Sequence, residues 1–397
     1  MVKTPAGVLS RFLPISFLLG AWLLPFAGHA TNGLFPAGNG VVAHGMGGAG
    51  IANSAEAISM VDNPAHINNL GSMAGGNVHF YYPELSANLT GEYVDSEVEQ
   101  TITPQFAVTY GLDDSLGFGF AVTVLGGAGS DYPDTLVSDR AGITAGGLIF
   151  SPSVSYRITP DAAIGASFQY AYEEIETDGF PQQLGGFGDN KGSTSGYGYK
   201  LGYLMNVSQS MSFGLVYQSK IDVGEIDDHC SGTGMFTLYK ASGGDCSLDM
   251  PEIYSIGVKY QASEQIKLLT DIQYIVWESV DAIKDVFGWE NRYVYKVGAE
   301  YQATPLIAVR AGYNHSKAPQ AKDRVADNVF AGALVEDHYT LGLSYQAQQD
   351  YLFSLYYSYG AENELEQEGA VSNPTLSPIT KLKMSEQVIG LGFDLNY

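Results

Sequence analysis

Hydrophobic and polar residues alternate with a period of two at the end of the chain. Ile389, Leu391, Phe393 and Leu395 fall on alternate positions, with small or polar residues between them, and the chain ends on Tyr397. Successive side chains of a β-strand point to opposite faces, so this pattern predicts a strand with one apolar face and one small or polar face. One such strand fits any antiparallel sheet, and the fold must be judged from the rest of the chain.

The same alternation recurs in segments of about ten residues, which is the length that a tilted membrane-spanning strand needs. Residues 164–172, for example, alternate between apolar or aromatic side chains and small or polar ones. Fourteen strands, an even number, are predicted in this way near residues 76–90, 98–110, 115–127, 145–158, 161–175, 195–206, 211–222, 251–262, 266–277, 291–303, 306–314, 336–347, 351–360 and 384–397.

The connections between these strands alternate between short and long. The short ones have turn-type sequences and the long ones are loops of thirteen residues or more; the predicted long loops are 128–144, 176–194, 223–250, 278–290, 315–335 and 361–383. Short periplasmic turns and long extracellular loops are typical of bacterial outer-membrane barrels. The predicted fold is therefore all-β, a 14-stranded antiparallel transmembrane β-barrel. A soluble β-sandwich would alternate too, but it would not carry so many tyrosines at its strand ends.

Composition agrees with a barrel. Among 397 residues there are 48 Gly, 27 Tyr and 18 Phe, but only 16% are charged; these are turn formers and aromatic residues that suit strands and membrane interfaces. The net charge of −24 argues against a nucleic-acid partner, because phosphate binding needs clustered Lys and Arg. The acidity is interpreted as that of solvated loops.

The N-terminus reads as a secretory signal peptide over residues 1–30. Lys3 and Arg11 precede or flank an apolar stretch at 12–26, and small residues lead up to Ala30, where cleavage requires them. A transmembrane anchor is the alternative, but the stretch falls short of the ~20 residues that span a bilayer. The mature protein is expected to begin after Ala30 and to reside in the outer membrane of a Gram-negative bacterium, after insertion by the barrel assembly machinery.

Two cysteines, Cys230 and Cys246, lie in one predicted loop. An even pair in an oxidising compartment predicts a disulfide that ties this loop. A metal site is less favoured, because His229 is the one further ligand nearby and four ligands are the rule. No cofactor and no metal are predicted.

Residues 31–75 precede the first strand and are rich in Gly and Ala. They contain Gly45-Met46-Gly47-Gly48-Ala49-Gly50, a formal match to the dinucleotide fingerprint, but no buried strand precedes it as that fingerprint requires. The glycines instead favour a compact segment packed closely inside a lumen. The predicted domains are thus a signal peptide (1–30), an N-terminal hatch, or plug (31–75), and a barrel (76–397).

Short motifs from this segment and from the barrel occur in a recognisable order. They are the glycine motif at 45–50, Ala55-Glu56-Ala57, Asn63-Pro64-Ala65, Trp277-Glu278-Ser279, Arg310-Ala311-Gly312-Tyr313 with Pro319 following, and Gly342-Leu343-Ser344-Tyr345. In this order and spacing the mature chain resembles, from end to end, the FadL family of outer-membrane channels for long-chain fatty acids and related hydrocarbons, which includes the toluene channels.

The resemblance implies a transport mechanism. An apolar substrate would be captured by the extracellular loops, pass to a pocket in the barrel and be released when the hatch shifts. It would then leave sideways through a gap made by an inward kink in the third strand, away from polar lipopolysaccharide. Asn63, Pro64 and Ala65, with Gly45, Gly47 and Gly50, would shape the hatch and do no chemistry.

The end of the third predicted strand is rich in glycine. Gly126, Gly127 and Gly129 are candidates for the kink, because glycine weakens a strand and permits bulges. An ordinary loop start is the alternative, since glycine often marks strand ends.

Several cations fall on the lumen side of the alternation, namely Arg157, Lys200, Lys259, Lys296 and Arg310. They are candidate contacts for a fatty-acid carboxylate, or they pair with inward acids such as Glu173, Asp271 and Glu300 and brace the barrel. Large apolar residues in the predicted loops suit a capture site for hydrophobic molecules; they are Phe180, Phe187, Met235, Phe236 and Leu238.

Three other functions are compatible with a barrel. A general porin would have an open, charge-lined lumen and no hatch. An outer-membrane enzyme would need a nucleophile or acid–base set near a rim, and neither His44 nor His79 has an evident partner in the sequence. A structural or adhesive role is a third alternative that the sequence leaves in place. The favoured hypothesis is a monomeric channel for passive uptake of hydrophobic molecules, first fatty acids and then aromatic or alkane hydrocarbons.

Overall fold

A computed structural model of the chain describes residues 32–89, 91–134, 140–179, 189–226, 229, 236–370 and 380–397. Within these residues the chain forms one antiparallel sheet. Its fourteen long strands are β1 (Met73–Asn88), β3 (Thr101–Gly111), β4 (Leu116–Tyr132), β5 (Ala141–Thr159), β6 (Ala162–Asp178), β7 (Asn190–Asn206), β8 (Met211–Gln218), β10 (Glu252–Gln261), β11 (Ile266–Val276), β12 (Arg292–Thr304), β13 (Ile307–Ser316), β14 (Asp337–Ala347), β15 (Tyr351–Glu366) and β16 (Lys381–Asn396). There are also two short strands: β2 (Tyr93–Asp95) pairs with β1, and β9 (Asp222–Val223) pairs with β7.

The sheet closes on itself. Each long strand pairs with the long strands before and after it, and β16 pairs with β1 from Met73↔Asn396 to Asn88↔Lys381. Closure leaves no free sheet edge at the ends of the chain, so the backbone polar groups of the wall are satisfied within lipid. The predicted 14-stranded barrel is confirmed.

The alternation separates two faces of the wall. In β16, Ile389 and Leu391 are exposed on the outside, while Gly390 turns to the lumen. The same outward face on other strands is dominated by exposed Tyr, Leu, Ile and Phe, whereas the inward face carries mainly buried Ser, Thr, Gln and charged residues. Tyr397 closes the last strand, since its N–H donates to the carbonyl of Ser72 (3.1 Å) and its hydroxyl to that of Thr109 (3.1 Å).

Several strands extend further toward the extracellular side than the alternation predicts. Residues at both ends of the predicted loops 128–144 and 361–383 belong to strands, because β4 continues to Tyr132 and β16 begins at Lys381. Beyond the membrane the outward face becomes polar, as where Lys381 pairs with Glu366 at 2.9 Å. The inward face of these extensions is apolar, as at Leu382 and Met384. They lack the outward apolar residues of the membrane-facing strands, so the alternation that predicts those strands does not extend to them.

Helices are short and lie at the N-terminus and in the loops. The N-terminal segment contains helices Val41–His44, Ser59–Asp62 and Ile67–Leu70 and the 3₁₀ turn Pro64–His66. The loops contain helices Thr237–Ala241 and Asp281–Phe287 and the 3₁₀ turns Trp277–Ser279 and Lys322–Asn328. Among the described residues, none of the helices is long and apolar enough to cross a membrane.

Candidate functional site

The N-terminal segment lies inside the barrel. Residues 32–72, which we call the hatch, precede β1, whose first residue, Met73, comes three positions before the predicted boundary. Most hatch residues are buried, including polar ones such as Asn63 and His66. A buried loop-rich segment needs partners for its backbone polar groups, and the barrel wall supplies them.

Two aspartates of the wall accept hydrogen bonds from the hatch backbone. Oδ2 of Asp271, on β11, accepts from the N–H groups of Gly50 (2.7 Å) and Ile51 (3.0 Å). Oδ1 of Asp394, on β16, accepts from the N–H of Ala57 at 2.8 Å. Hydrogen bonds to charged acceptors are stronger than neutral ones, so these two residues anchor the middle of the hatch.

The glycine motif lies against the wall of β13 and β14. Gly47 has a left-handed backbone (φ 68°), its N–H donates to Oγ1 of Thr340 at 2.9 Å, and a Cβ there would approach the backbone of Tyr313 to 2.5 Å. A Cβ on Gly45 would come to 3.0 Å from Cα of Gly342. The motif is glycine-rich because two backbones touch, which agrees with the packing interpretation of the sequence.

The Asn63-Pro64-Ala65 motif links three pieces of backbone. Oδ1 of Asn63 accepts from the N–H of Ala65 (3.0 Å) and so caps the 3₁₀ turn Pro64–His66. Its Nδ2 donates to the carbonyls of Ile51 within the hatch and Tyr203 on β7, both at 3.0 Å. One side chain thus fixes the hatch turn and joins it to the wall.

Glu56 holds the first hatch helix from within the hatch. Its carboxylate accepts hydrogen bonds from the backbone N–H groups of Val41 (3.1 Å), Val42 (2.9 Å) and Ala43 (3.3 Å). Burial, with the Asp394 carboxyl nearby, raises the pKa of Glu56 to about 8, while the bonds from the helix backbone act in the opposite direction. The carboxyl replaces the missing helical partners of these N–H groups.

Three of the predicted carboxylate contacts either hydrogen-bond to other groups of the protein or lie in the periplasmic half of the barrel. Arg310 donates to Glu300 (2.6 Å) and to Ser344 (2.6 Å). Arg157 donates to the carbonyl of Asn68 (2.9 Å) near the periplasmic end of the hatch. Lys259 is half-buried on the periplasmic half of β10. Arg310 and Arg157 therefore have the bracing contacts that were the alternative to ligand binding.

Lys200 and Lys296 are the two predicted contacts that line a cavity. The cavity, of about 90 Å³, lies between the hatch and the wall, and Asp62, Asn32 and Gln169 line it too. Nζ of Lys200 donates to a hatch carbonyl, whereas no hydrogen bond or ion pair to the described residues engages Lys296. Oδ2 of Asp62, Oε1 of Gln169 and the side-chain amide of Asn32 also find no partner among the described residues. The cavity therefore offers polar groups able to form further hydrogen bonds, beside apolar residues such as Leu125 and Ile275.

The predicted kink glycines lie within β4, the third long strand, where it has separated from β3 but still pairs with β5. The pairing of β4 with β5 shifts register between Val124 and Gly127, and Gly126 between them has a φ of 122°. A Cβ on Gly126 would collide with the carbonyl of Leu34, and that carbonyl accepts from the N–H of Gly127 at 3.1 Å. These glycines do not start a loop, because β4 continues through Gly129 to its end.

Beyond this bulge a gap opens in the wall, which we call the window. The pairing of β3 with β4 ends at Phe106↔Val122, so within the described residues nothing on β4 pairs with 101–105 of β3. Residues 121–130 are buried on both faces, unlike a strand that faces lipid on one side. At its far end β4 contacts the loops and the chain before β3: Ser130 donates to the carbonyl of Phe330 at 2.9 Å, and the carbonyl of Asp131 accepts from the N–H of Glu97 at 2.7 Å.

Apolar residues cover the lumen on the extracellular side, in a group we call the loop cluster. Trp277 is its centre: it stacks on Phe35 of the hatch (centroids 5.4 Å apart) and meets Trp289 edge-on (4.8 Å). Phe236, a predicted capture residue, is buried in the cluster and meets Phe287 edge-on at 6.3 Å. Phe180, Phe187, Met235 and the side chain of Leu238, also predicted for capture, lie outside the described residues.

Cys246 is buried in the loop cluster. Cys230, its predicted disulfide partner, lies outside the described residues, so the disulfide stays a prediction. Among the described residues, no group of three or more His, Cys, Asp or Glu side chains is arranged to hold a metal ion.

Sequence reasoning missed the residues that anchor the hatch. Asp394 was recognised only as a polar residue of the last strand, and Asp271 only as a possible bracing acid. The one available signal was their inward position in otherwise small or apolar surroundings. Trp277 appeared only as a family motif, and nothing in the sequence placed it against Phe35.

Solved structures of similar fold include transport channels. The Pseudomonas putida toluene transporter TodX matches with a TM-score of 0.72 and 17% identity, over 91% of this chain and 99% of that one. A FadL homologue of Pseudomonas aeruginosa matches with a TM-score of 0.68 and 15% identity, over 92% of this chain and 99% of that one. At these identities the likeness is one of fold.

Curated relatives align over a part of the chain. Outer membrane protein P1 of Haemophilus influenzae is 21% identical over 173 residues, 41% of this chain and 38% of that protein. An outer-membrane protein of Neisseria meningitidis serogroup B is 24% identical over 168 residues, 34% of this chain and 36% of that protein. The chain thus spans less than two fifths of the length of each.

A family model described as outer membrane protein transport protein (OMPP1/FadL/TodX) matches residues 27–397. This match covers the hatch and every strand, and the fold agrees with it. The resemblance to the FadL family, the outer-membrane location and the absence of an enzymatic role are therefore confirmed, because the family consists of transport channels. The chain belongs to the OMPP1/FadL/TodX family of outer-membrane transport proteins.

Proposed function

We propose that this channel takes up long-chain fatty acids passively, by capture at the loop cluster, displacement of the hatch and sideways release through the window. The observation that carries the proposal is the gap between β3 and β4 above Phe106↔Val122, with Leu34 of the hatch bonded to the bulge at its rim. A substrate that leaves through this gap enters the apolar part of the bilayer without crossing bulk water.

The hatch must move for transport to occur. The cavity of about 90 Å³ is smaller than the ~150 Å³ that accommodates one benzene molecule, so neither a hydrocarbon nor a fatty acid fits into this cavity while the hatch is in this position. The hatch contacts the wall through hydrogen bonds, each contributing on the order of 1 kcal/mol net, and through small apolar clusters, as where Val42 and Met46 pack near Leu269. Such a segment can shift without unfolding the barrel, because the wall's own ladders do not depend on it.

The cavity supports a substrate with a carboxylate. Lys200 and Lys296 both line it, and the ammonium of Lys296 has no hydrogen-bond or ion-pair partner within reach among the described residues. Asp62 and Asp271 lie near enough to interact electrostatically with Lys296. A fatty-acid carboxylate could bind Lys296 through a charge-assisted hydrogen bond, while its chain extends toward the loop cluster.

An aromatic hydrocarbon is the second candidate. The observation that favours it is the aromatic lining of the loop cluster, where Phe35, Trp277 and Trp289 offer ring faces and edges that suit another aromatic ring. Two neighbouring structures are of toluene transporters. A hydrocarbon would make no use of Lys296.

Uptake of radiolabelled oleate and of toluene distinguishes the two. In a deletion strain carrying the gene, uptake should exceed that of the empty strain for at least one of them. The variant Lys296→Gln should lower the initial rate of oleate uptake about tenfold, the value of one lost charge-assisted bond, and leave toluene uptake unchanged. Lys259→Gln, lumen-facing but away from the cavity, is the matched control.

Three outcomes decide the proposal. Loss of oleate uptake in Lys296→Gln alone supports the fatty acid. Gene-dependent uptake of toluene without gene-dependent uptake of oleate assigns the channel to hydrocarbons, and gene-dependent oleate uptake that is equal in both variants contradicts the role of Lys296. Equal uptake of every apolar substrate with and without the gene contradicts both candidates.

A further inference from the structure

Two histidines that the sequence left without partners meet at the boundary between hatch and wall. His44 ends the first hatch helix and His79 lies on β1; their ring centroids are 4.9 Å apart. Tyr356 of β15 stacks on His44 at 4.7 Å and 20°. All three side chains are at most 3% exposed. We call them the ring cluster.

His79 is fully satisfied as a neutral ring. Its Nε2 lies 2.7 Å from Oδ1 of Asn77, which can only accept, so the proton is on Nε2. Its Nδ1 lies 2.9 Å from the hydroxyl of Tyr356 and must accept from it. A second proton on this ring would require the tyrosine hydroxyl to turn and accept from Nδ1.

His44 is also arranged as a neutral ring. Its Nδ1 donates to the carbonyl of Gly40 at 2.6 Å, and its Nε2 has no partner among the described residues. Protonation would therefore bury an N–H without an acceptor and place a cation beside His79, and both effects are costly in a site closed to water. Burial accordingly lowers the pKa of His44 from 6.5 to about 4.

The ring cluster is a contact between parts that the proposed transport separates. Helix Val41–His44 packs against β14, β15 and β16, and beside it Val41, Tyr81, Tyr356 and Val388 form an apolar patch. If the hatch moves, His44 leaves Tyr356 and His79, and its ring regains water.

We propose that His44 is a positioning residue of the hatch: its neutral ring, stacked on Tyr356 and His79, holds the first helix against the wall, and its protonation favours the displaced hatch. This inference rests on the hatch movement of the proposed function. It adds that His44 contributes a component of opening that is favoured in acid.

The direction follows from proton counting. In the closed state the pKa of His44 is about 4, whereas in the open state its ring is in water and its pKa is near 6.5. Between these two pH values the open state binds more protons than the closed state. Lowering the pH from about 6.5 toward 4 therefore shifts the His44 contribution toward the open state. Glu56 acts oppositely: its raised pKa means that closure binds a proton between about pH 8 and its ordinary value near 4.5. A His44 variant keeps the pH dependence of opening that Glu56 contributes and loses the one that His44 contributes. The difference between this variant and the wild type therefore measures the His44 contribution alone.

Other titratable and charged groups surround the ring cluster from every neighbouring element and stay unchanged in that comparison. On the wall, His338 bonds Glu386 at 3.1 Å. The complete set is Glu56 on the hatch, Tyr81 on β1, Lys296 on β12, Arg310 on β13, His338 on β14, and Glu386 and Asp394 on β16.

The experiment measures opening probability of the purified full-length protein in planar bilayers between pH 7.5 and 5. Because Glu56 opposes His44, the histidine effect is measured as a difference: the ratio of the wild-type to the His44→Gln opening probability should be about tenfold higher at pH 5 than at pH 7.5. His44→Gln should lose this component. His315→Gln, at the extracellular end of β13 and outside the ring cluster, should respond like the wild type.

A second variant covers the case in which His44→Gln does not assemble. His44→Phe keeps an aromatic ring that can stack on Tyr356 but cannot take up a proton, so its pH response should match that of His44→Gln. A response identical to the wild type in both His44→Gln and His44→Phe overturns the inference. If instead the wild type takes up substrate without opening at any pH, the hatch movement itself is contradicted.

Discussion

The barrel has two seams that differ in kind. The closing seam between β1 and β16 runs in unbroken register from Met73↔Asn396 to Asn88↔Lys381. The seam between β3 and β4 pairs only from Phe106↔Val122 to Gly111↔Gly117, and beyond it the two strands part. A membrane barrel must seal its wall wherever lipid touches it, so the open seam needs another explanation.

The hatch supplies that explanation. The freed part of β4 does not face lipid, since it turns inward and its Gly126–Gly127 bulge meets the hatch at Leu34. On β3 the opposite edge carries Pro104, a residue tolerated where a strand has a free side. The wall is thus closed by strand pairing between β1 and β16, whereas between β3 and β4 it is closed by the hatch, which can move.

Breaking the closed seam should have the largest effect. Leu391→Pro removes a backbone N–H in the middle of β16 and distorts the strand, and the folded barrel should be lost almost completely. Heat-modifiable migration in unboiled gels measures it. Ala370→Pro, in an exposed connection, is the control; a folded Leu391→Pro barrel at wild-type levels would contradict the role of the seam.

Loosening the hatch should have an intermediate effect confined to the lumen. Asn63→Ala removes a donor to the carbonyls of Ile51 and Tyr203 and an acceptor for Ala65, which should destabilise hatch docking by about 2 kcal/mol or more. Bilayer conductance should rise while the melting temperature of the barrel is unchanged. Asn69→Ala, at the exposed end of the hatch, should leave conductance at the wild-type level; a wild-type conductance in Asn63→Ala would show that the hatch does not seal the lumen.

The barrel and the hatch were predictable from the sequence to different extents. The strands follow from alternation because one face of each lies in lipid, as Ile389 and Leu391 illustrate. That signal ends where Lys381 and Glu366 face water, so the extracellular strand ends were missed. Glycine content predicted close packing of Gly47 but could not say against what.

The hatch anchors and the ring cluster were beyond sequence reasoning for a different reason. Asp394 bonds Ala57 across 337 positions of the chain, and His79 meets Tyr356 across 277. Such pairs depend on how the barrel closes, and no local pattern encodes them. The polar lumen is thus the least predictable part of a chain whose outer face is the most predictable.

Photolabelling is the most direct test of sideways release. A fatty acid with a photoreactive group near its end, supplied to cells and illuminated during uptake, should label the window edges at 101–105 and 121–130, and Gly126→Ala should reduce that labelling while Gly129→Ala does not. Labelling that bypasses the window and instead runs through the lumen to helix Ile67–Leu70 at the periplasmic end would contradict the account.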